Sequence, residues 1–198
     1  KIVMERRYLL PGETPKELFT RVAHHIASFN DSTDQEAAYY EAMSSLKFLP
    51  NSPTLMNAGT GQGTLSACFV LPLEDTMEGI MDTAKSAAMV QKFGGGTGFS
   101  LSKVRPKSAP ISTTHGKACG PVAVLKHLSS VSKLVTQGGK RDGANMAVLH
   151  VSHPDIMEFI TCKQGEGDIH NFNISVGVNK QFMEAVRHDS LYSLRNPA

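Results

Sequence analysis

The sequence predicts an α/β fold with parallel strands, preceded by a helical N-terminal region. Three observations carry this. Helix start signals and apolar residues at helical spacing dominate the first fifty positions. Beyond position 65, short apolar runs of strand length alternate with longer helical segments. Glycine- or proline-rich stretches punctuate that alternation.

The elements follow in order. Thr14-Pro15-Lys16-Glu17 reads as a helix start: Thr14 caps, Pro15 suits the first helical position and Glu17 closes a capping box. Leu18, Val22 and Ile26 recur at helical spacing, so this helix runs to about Phe29. A second helix is expected over 34–46, with Ala37, Tyr40 and Leu46 among its apolar positions. Pro50 and Pro53 predict a loop. A short buried strand is expected over 68–71, then a long helix capped at Asp75 or Thr76 and ending near Lys92. Ile80, Met81, Ala84, Ala88 and Met89 line one side of it, either as core or as a dimer seam. A strand is expected over 99–104, a hydroxyl-rich loop over 105–117, and a helix from Gly120-Pro121 to Thr136. Strands over 147–151 and 173–178, each followed by a helix (154–161 and 180–187), complete the pattern.

The 198 residues fit one large domain, or a domain plus a subdomain. A net charge of +2 gives no argument for nucleic-acid or membrane binding, and no apolar run approaches the roughly 20 residues that span a bilayer. Cys68, Cys119 and Cys162 are odd in number and widely spaced, which suits a reducing, cytoplasmic setting better than a disulfide framework. The chain begins at Lys1 and stops at Asn196-Pro197-Ala198, and the expectation is a piece of a longer polypeptide.

Cys68 lies in Leu65-Ser66-Ala67-Cys68-Phe69-Val70-Leu71, small residues feeding an apolar strand. Two readings stand: a thiol facing a polar ligand, or a small core hydrophobe. The run Gly94-Gly95-Gly96-Thr97-Gly98 follows a helix and precedes a strand, so it is neither a Walker A loop nor a dinucleotide fingerprint. It either admits a flat or phosphorylated ligand or simply ends the helix. In 137–143, Gln137 offers an amide for a base edge, and Lys140 and Arg141 offer charge for phosphate. The alternative is a solvated basic turn. His24 and His25 cannot share a helix face, and His150 and His153 lack a third ligand, so structural or solvent roles are expected. Asp75 reads as an N-cap with Glu78 as its capping-box partner. Asp168-Ile169-His170 begins like a cobalamin-ligating pattern, but Asn173 stands where that pattern needs glycine.

Taken together, four motifs in order resemble ribonucleotide reductase catalytic chains. They are Ser52-Pro53-Thr54-Leu55-Met56-Asn57-Ala58-Gly59, Ser66-Ala67-Cys68-Phe69-Val70-Leu71-Pro72, Phe93-Gly94-Gly95-Gly96-Thr97-Gly98 and Gly138-Gly139-Lys140-Arg141-Asp142-Gly143-Ala144-Asn145-Met146. Asn171-Phe172-Asn173-Ile174-Ser175-Val176 also fits, and the likeness is strongest to the adenosylcobalamin-dependent class II enzymes.

The resemblance implies a helical region over 1–50 and, over 51–198, the first strands and helices of a ten-stranded α/β barrel, truncated. Cys68 matches the first cysteine of a reducing pair. Ser52 matches a substrate-binding hydroxyl, and Ala67, Gly95 and Gly96 match backbone contacts to ribose and base. Asp75, Arg105 and Lys107 match the site of an allosteric deoxynucleoside triphosphate, with Ser112 standing where the family has a further basic residue. Gln137, Lys140 and Arg141 match a specificity loop, and the helix after Asp75 matches a homodimer interface. The implied partners are a ribonucleotide substrate and a thioredoxin-like reductant, with adenosylcobalamin as cofactor. No Asn-x-Cys-x-Glu radical motif occurs, so the partner thiol, the radical cysteine and the glutamate are expected beyond Ala198, and the piece alone is expected to be inactive. The rival readings are a class I large subunit served by a separate radical-generating subunit, and a nucleotide-binding regulatory module without catalysis.

Overall fold

The computed structural model describes residues 2–30, 33–136, 144–165 and 169–197. The chain forms two compact units, Lys1–Cys68 with Phe93–Gly95, and Phe69–Lys92 with Gly96–Ala198.

The first unit is helical. It contains α1 (Ile2–Arg7), α2 (Pro15–Ala27), a 3-10 turn (Ser28–Asn30), α3 (Thr33–Ser44) and α4 (Ser52–Asn57). The expected capping box is present: Glu17 N–H donates to Thr14 Oγ1 at 3.3 Å, and Thr14 N–H donates to Glu17 Oε2 at 2.7 Å. Leu18, Phe19, Val22 and Ala23 of α2 pack with Met43, Leu55 and Ala58. In α3 the buried apolar residue is Met43; Leu46 lies past the helix end, exposed and at φ 60°. The loop expected at Pro50 and Pro53 is present at Pro50, but Pro53 lies in the first turn of α4. Asn51 caps it by accepting from Thr54 N–H at 3.0 Å, and a proline in the first turn gives up only an N–H that has no helical partner. Arg21 holds the other end, donating to the Leu55 and Ala58 carbonyls while pairing with Glu13 at 2.7 Å.

The second unit is built on a four-stranded sheet of order β1-β2-β3-β4. The strands are β1 (Cys68–Leu71), β2 (Gly96–Ser100), β3 (Asn145–His150) and β4 (Phe172–Gly177). β2, β3 and β4 run parallel, with Thr97 opposite Asn145 and Asn145 opposite Phe172. Helices α5 (Met77–Lys92), α6 (Pro121–Thr136), α7 (Ile156–Thr161) and α8 (Lys180–Arg187) alternate with them. The core joins Phe99, Leu101, Leu125, Leu128, Ala147, Leu149, Phe159 and Phe172.

Two expectations are corrected here. β2 begins at Gly96, not Phe99, and the chain turns after Ser100, where Val104 N–H bonds back to Leu101 O. Glycines score poorly as strand formers, but Gly94 (φ 81°) turns the chain out of α5 and pairing with β3 does the rest. The buried stripe of α5 is Thr83, Ala84, Ala87 and Gln91, whereas Met81 and Met89 are exposed. The sheet is two-faced. Phe99, Ala147, Leu149 and Phe172 point into the core, while Val70 is 86% exposed and Met146 41%.

Candidate functional site

Cys68 is the first residue of β1, exposed and free. The alternation along β1 sets Cys68 and Val70 on the exposed side and leaves Phe69 and Leu71 half-buried. The core reading of this thiol is therefore corrected. The chain leading to it is held from α4: Thr54 Oγ1 donates to Leu65 O at 2.8 Å, and Asn57 Nδ2 donates to Thr64 O at 2.7 Å. Ser52, half-buried at the start of α4, shares a 3.0 Å hydrogen bond with the Tyr8 hydroxyl. Ala67 is half-buried and Gly95 and Gly96 are buried. Cys68, Ser52, Ala67 and Gly95 belong to the first unit and Gly96 to the second.

The positions matched to an effector site all lie in the second unit. Asp75 does not cap α5. Thr76 does, its Oγ1 accepting from Gly79 N–H at 3.0 Å, so Glu78 is not the third helical residue that a capping box would use. This leaves the Asp75 carboxylate for Arg105, whose Nε donates to Oδ2 at 2.5 Å and whose Nη2 donates to the Asp75 carbonyl at 3.2 Å. Both side chains are partly exposed, so the pair is open to a solute.

Lys107 is held from α7 and the residues before it. Its backbone N–H donates to Asp155 Oδ2 at 2.7 Å, and its ammonium meets Glu158 at 3.2 Å. Gly120 makes this possible: it sits at φ 79°, and a Cβ there would lie 2.8 Å from Asp155 Oδ2. His153 is buried and spent on backbone: Nε2 donates to Val104 O at 2.8 Å, and Nδ1 accepts from Asp155 N–H at 3.0 Å. It is a bolt for the stretch from Val104 to Lys107. His150 Nδ1 pairs with Ser152 Oγ at 2.7 Å. Ser112 is exposed. Gln137, Lys140 and Arg141 lie outside the described residues, as does Asp168. Among the described residues no three His, Cys, Asp or Glu side chains are grouped to hold a metal ion, and no helix is long and apolar enough to cross a membrane.

Sequence reasoning missed Tyr8 and Asp155 as supports of these positions, whereas the structural role expected for His153 is the one found. It also missed a buried polar cluster of Gln91, Thr97, Ser132 and Asn145. The partners stand 41 to 54 positions apart in three of these contacts, beyond any local pattern. The one signal was Thr97 and Asn145 themselves, polar residues at the openings of buried strands.

The chain matches two family models: "Ribonucleotide reductase, all-alpha domain" over residues 2–63 and "Ribonucleotide reductase, barrel domain" over residues 66–198. A vitamin B12-dependent ribonucleoside-diphosphate reductase of Thermoplasma acidophilum is 52% identical over 80% of this chain and 21% of its own length. One from Mycobacterium tuberculosis is 42% identical over 98% of the chain and 30% of its own. The ribonucleoside-diphosphate reductase large chain of Neurospora crassa is 33% identical over 98% and 22%. The chain thus spans 21–30% of the length of these curated relatives. In fold it is similar to an Actinobacillus ureae class Id ribonucleotide reductase alpha subunit, with a TM-score of 0.82, 24% identity, and coverage of 94% of this chain and 34% of that one. With a barrel-domain model matched over most of its length and an all-alpha model over nearly all the rest, the chain belongs to the ribonucleotide reductase large-chain family.

Proposed function

We propose that this chain is the N-terminal part of an adenosylcobalamin-dependent ribonucleotide reductase, carrying one redox cysteine, part of the substrate pocket and an effector site. The helical region ends, on this reading, near position 50, and the barrel begins with β1. The observation that carries the proposal is Cys68: an exposed, unpaired thiol opening the first strand of the barrel-domain match.

In the proposed reaction the C2′–O bond of the ribonucleotide breaks. Its oxygen leaves as water, and C2′ gains a hydrogen. Two thiols supply the two electrons and become a disulfide, which a thioredoxin-like dithiol then reduces. Cys68 is one of the two, and its partner comes from sequence outside residues 1–198, as do the radical cysteine and its glutamate. Ser52 binds the substrate, its hydroxyl oriented by Tyr8. Ala67, Gly95 and Gly96 offer backbone to ribose and base. Asp75 accepts from the 3′-hydroxyl of the deoxyribose of a deoxynucleoside triphosphate, and Arg105 with Lys107 meets its phosphates. Gln137, Lys140 and Arg141 relay the effector's identity to the substrate base. The exposed Met77, Met81 and Met89 on α5 suit a homodimer seam. The protein works in the cytoplasm.

Adenosylcobalamin supplies the radical when bound. The names of the relatives from Thermoplasma acidophilum and Mycobacterium tuberculosis support it. His153 has both ring nitrogens on backbone groups and His150 Nδ1 is taken by Ser152, and among the described residues no three His, Cys, Asp or Glu side chains are grouped to hold a metal ion. Its ligands are assigned elsewhere in the complete protein, and no step here is routed through it. A class I large subunit is the second reading, favoured by the likeness to the Neurospora crassa large chain.

The test is Cys68→Ser in the complete protein. Nucleotide binding and thermal stability are expected to hold while multiple turnover is abolished. Reduction at the wild-type rate would remove Cys68 from the mechanism.

A further inference from the structure

The second unit buries four uncharged polar side chains from four different elements. Gln91 lies in the last turn of α5, Thr97 in β2, Ser132 in α6, and Asn145 opens β3; all are at most 4% exposed. Gln91 Nε2, with two hydrogens to give, lies within hydrogen-bonding reach of Thr97 Oγ1 at 3.0 Å, Ser132 Oγ at 2.9 Å and Asn145 Oδ1 at 2.9 Å. Thr97 Oγ1 donates to Asn145 Oδ1 at 2.7 Å. Asn145 Nδ2 reaches on to Asn171 O at 3.2 Å, and Asn171 bonds Ser129 of α6 in both directions.

Apolar side chains would hold these elements together without burying polar groups, so the amide is not needed for cohesion. Gln91 Oε1 makes the point directly: it is buried and has no hydrogen-bond partner among the described residues. A buried acceptor left unmatched is a cost that asks for an explanation, whether a bound water or a role for the cluster.

The placement of the cluster supplies one. Ser132 lies in the helix that runs into 137–143, and Asn145 opens the strand that leaves it. Thr97 N–H also holds Ala144 O at 3.0 Å. One amide therefore ties both flanks of that segment to β2. The same amide lies in the last turn of α5, whose other end begins beside Asp75, about 24 Å away at 1.5 Å per residue.

We propose that Gln91 is a positioning residue: it fixes the flanks of 137–143 relative to β2 and α5, and so governs how an effector at Asp75 biases the choice of substrate base. The inference rests on the reading of 137–143 as the specificity loop and deepens it. Gln91 touches neither substrate nor effector.

The test uses the complete protein with Gln91→Met, which keeps the length and loses the amide, and the pair Thr97→Val and Thr97→Ser. Amide hydrogen exchange is followed by mass spectrometry, with two ribonucleotides competing for reduction in the presence and absence of a deoxynucleoside triphosphate. Gln91→Met and Thr97→Val are expected to speed exchange across 132–146 several-fold and leave α8 unchanged. Both are expected to reduce the effector-induced shift in product ratio several-fold at unaltered effector affinity, and Thr97→Ser is expected to behave as wild type. Unchanged exchange across 132–146 in both variants overturns the proposal. So does faster exchange with the full effector-induced shift retained. A wild-type protein whose product ratio ignores effectors would sink the specificity-loop reading instead, and the exchange data would still decide the anchoring. If Gln91→Met does not fold, Thr97→Val carries the test.

Discussion

At Glu13 one guanidinium decides the charge. Hydrogen bonding from Arg21 holds its carboxyl below the usual carboxylate value, helped by the Leu10 N–H and opposed by burial. A pKa lowered on folding gives stability that is complete above the unfolded value and lost as pH falls through the folded one. Acid unfolding of the wild type is thus expected to steepen below about pH 4, near the ordinary Glu value. Glu13→Gln should flatten that dependence and lower stability at neutral pH by about 2 kcal/mol, the scale of a hydrogen bond to a charged group. Denaturant melts at several pH values check it, and parallel curves for variant and wild type would contradict it. The cysteines separate in the same way. Burial pushes the Cys162 thiol up, only partly offset by Lys163, whereas Cys68 and Cys119 are exposed. Because the thiolate is the nucleophile, iodoacetamide at pH 7 is expected to label Cys68 and Cys119 well before Cys162. Peptide mapping that finds Cys162 first would refute the placement.

At the scale of elements, the join between β1 and α5 matters most. Moving the cap from Asp75 to Thr76 shifts the helix start by one residue, and that shift releases a carboxylate to Arg105. Asp75→Asn should weaken deoxynucleoside triphosphate binding to the complete protein about tenfold, some 1.4 kcal/mol. Calorimetry that finds equal affinity would take the effector site away from this pair. Elements with strong local signals were legible in the sequence. The capping box of α2, the Gly120-Pro121 start of α6, β1 at 68–71 and α8 at 180–187 all stand where spacing and punctuation put them. α4 and the start of β2 were not, because Asn51 capping and strand pairing override what proline and glycine suggest locally. Of the candidate site, Cys68 entered through an ordered motif, and Asp75 and Arg105 through the resemblance that the motifs carry. That Asp75 and Arg105 meet, across thirty positions, is a product of the fold. The Gln91 cluster is a tertiary product throughout.

At the scale of the molecule, one unit is helical and the other is built on a four-stranded sheet in which β2, β3 and β4 run parallel. Val70 and Met146 are exposed, apolar surface that a complete barrel would enclose. Strand order β1-β2-β3-β4 leaves β1 and β4 at its edges, ready for further pairing. This geometry suits the first strands of the larger barrel proposed above. The deciding measurement is deoxyribonucleotide formation by the complete protein supplied only with ribonucleotide, dithiol reductant and adenosylcobalamin. The account predicts repeated turnover under those conditions without any second subunit. A strict requirement for a separate radical-generating subunit, with cobalamin inert, would contradict it.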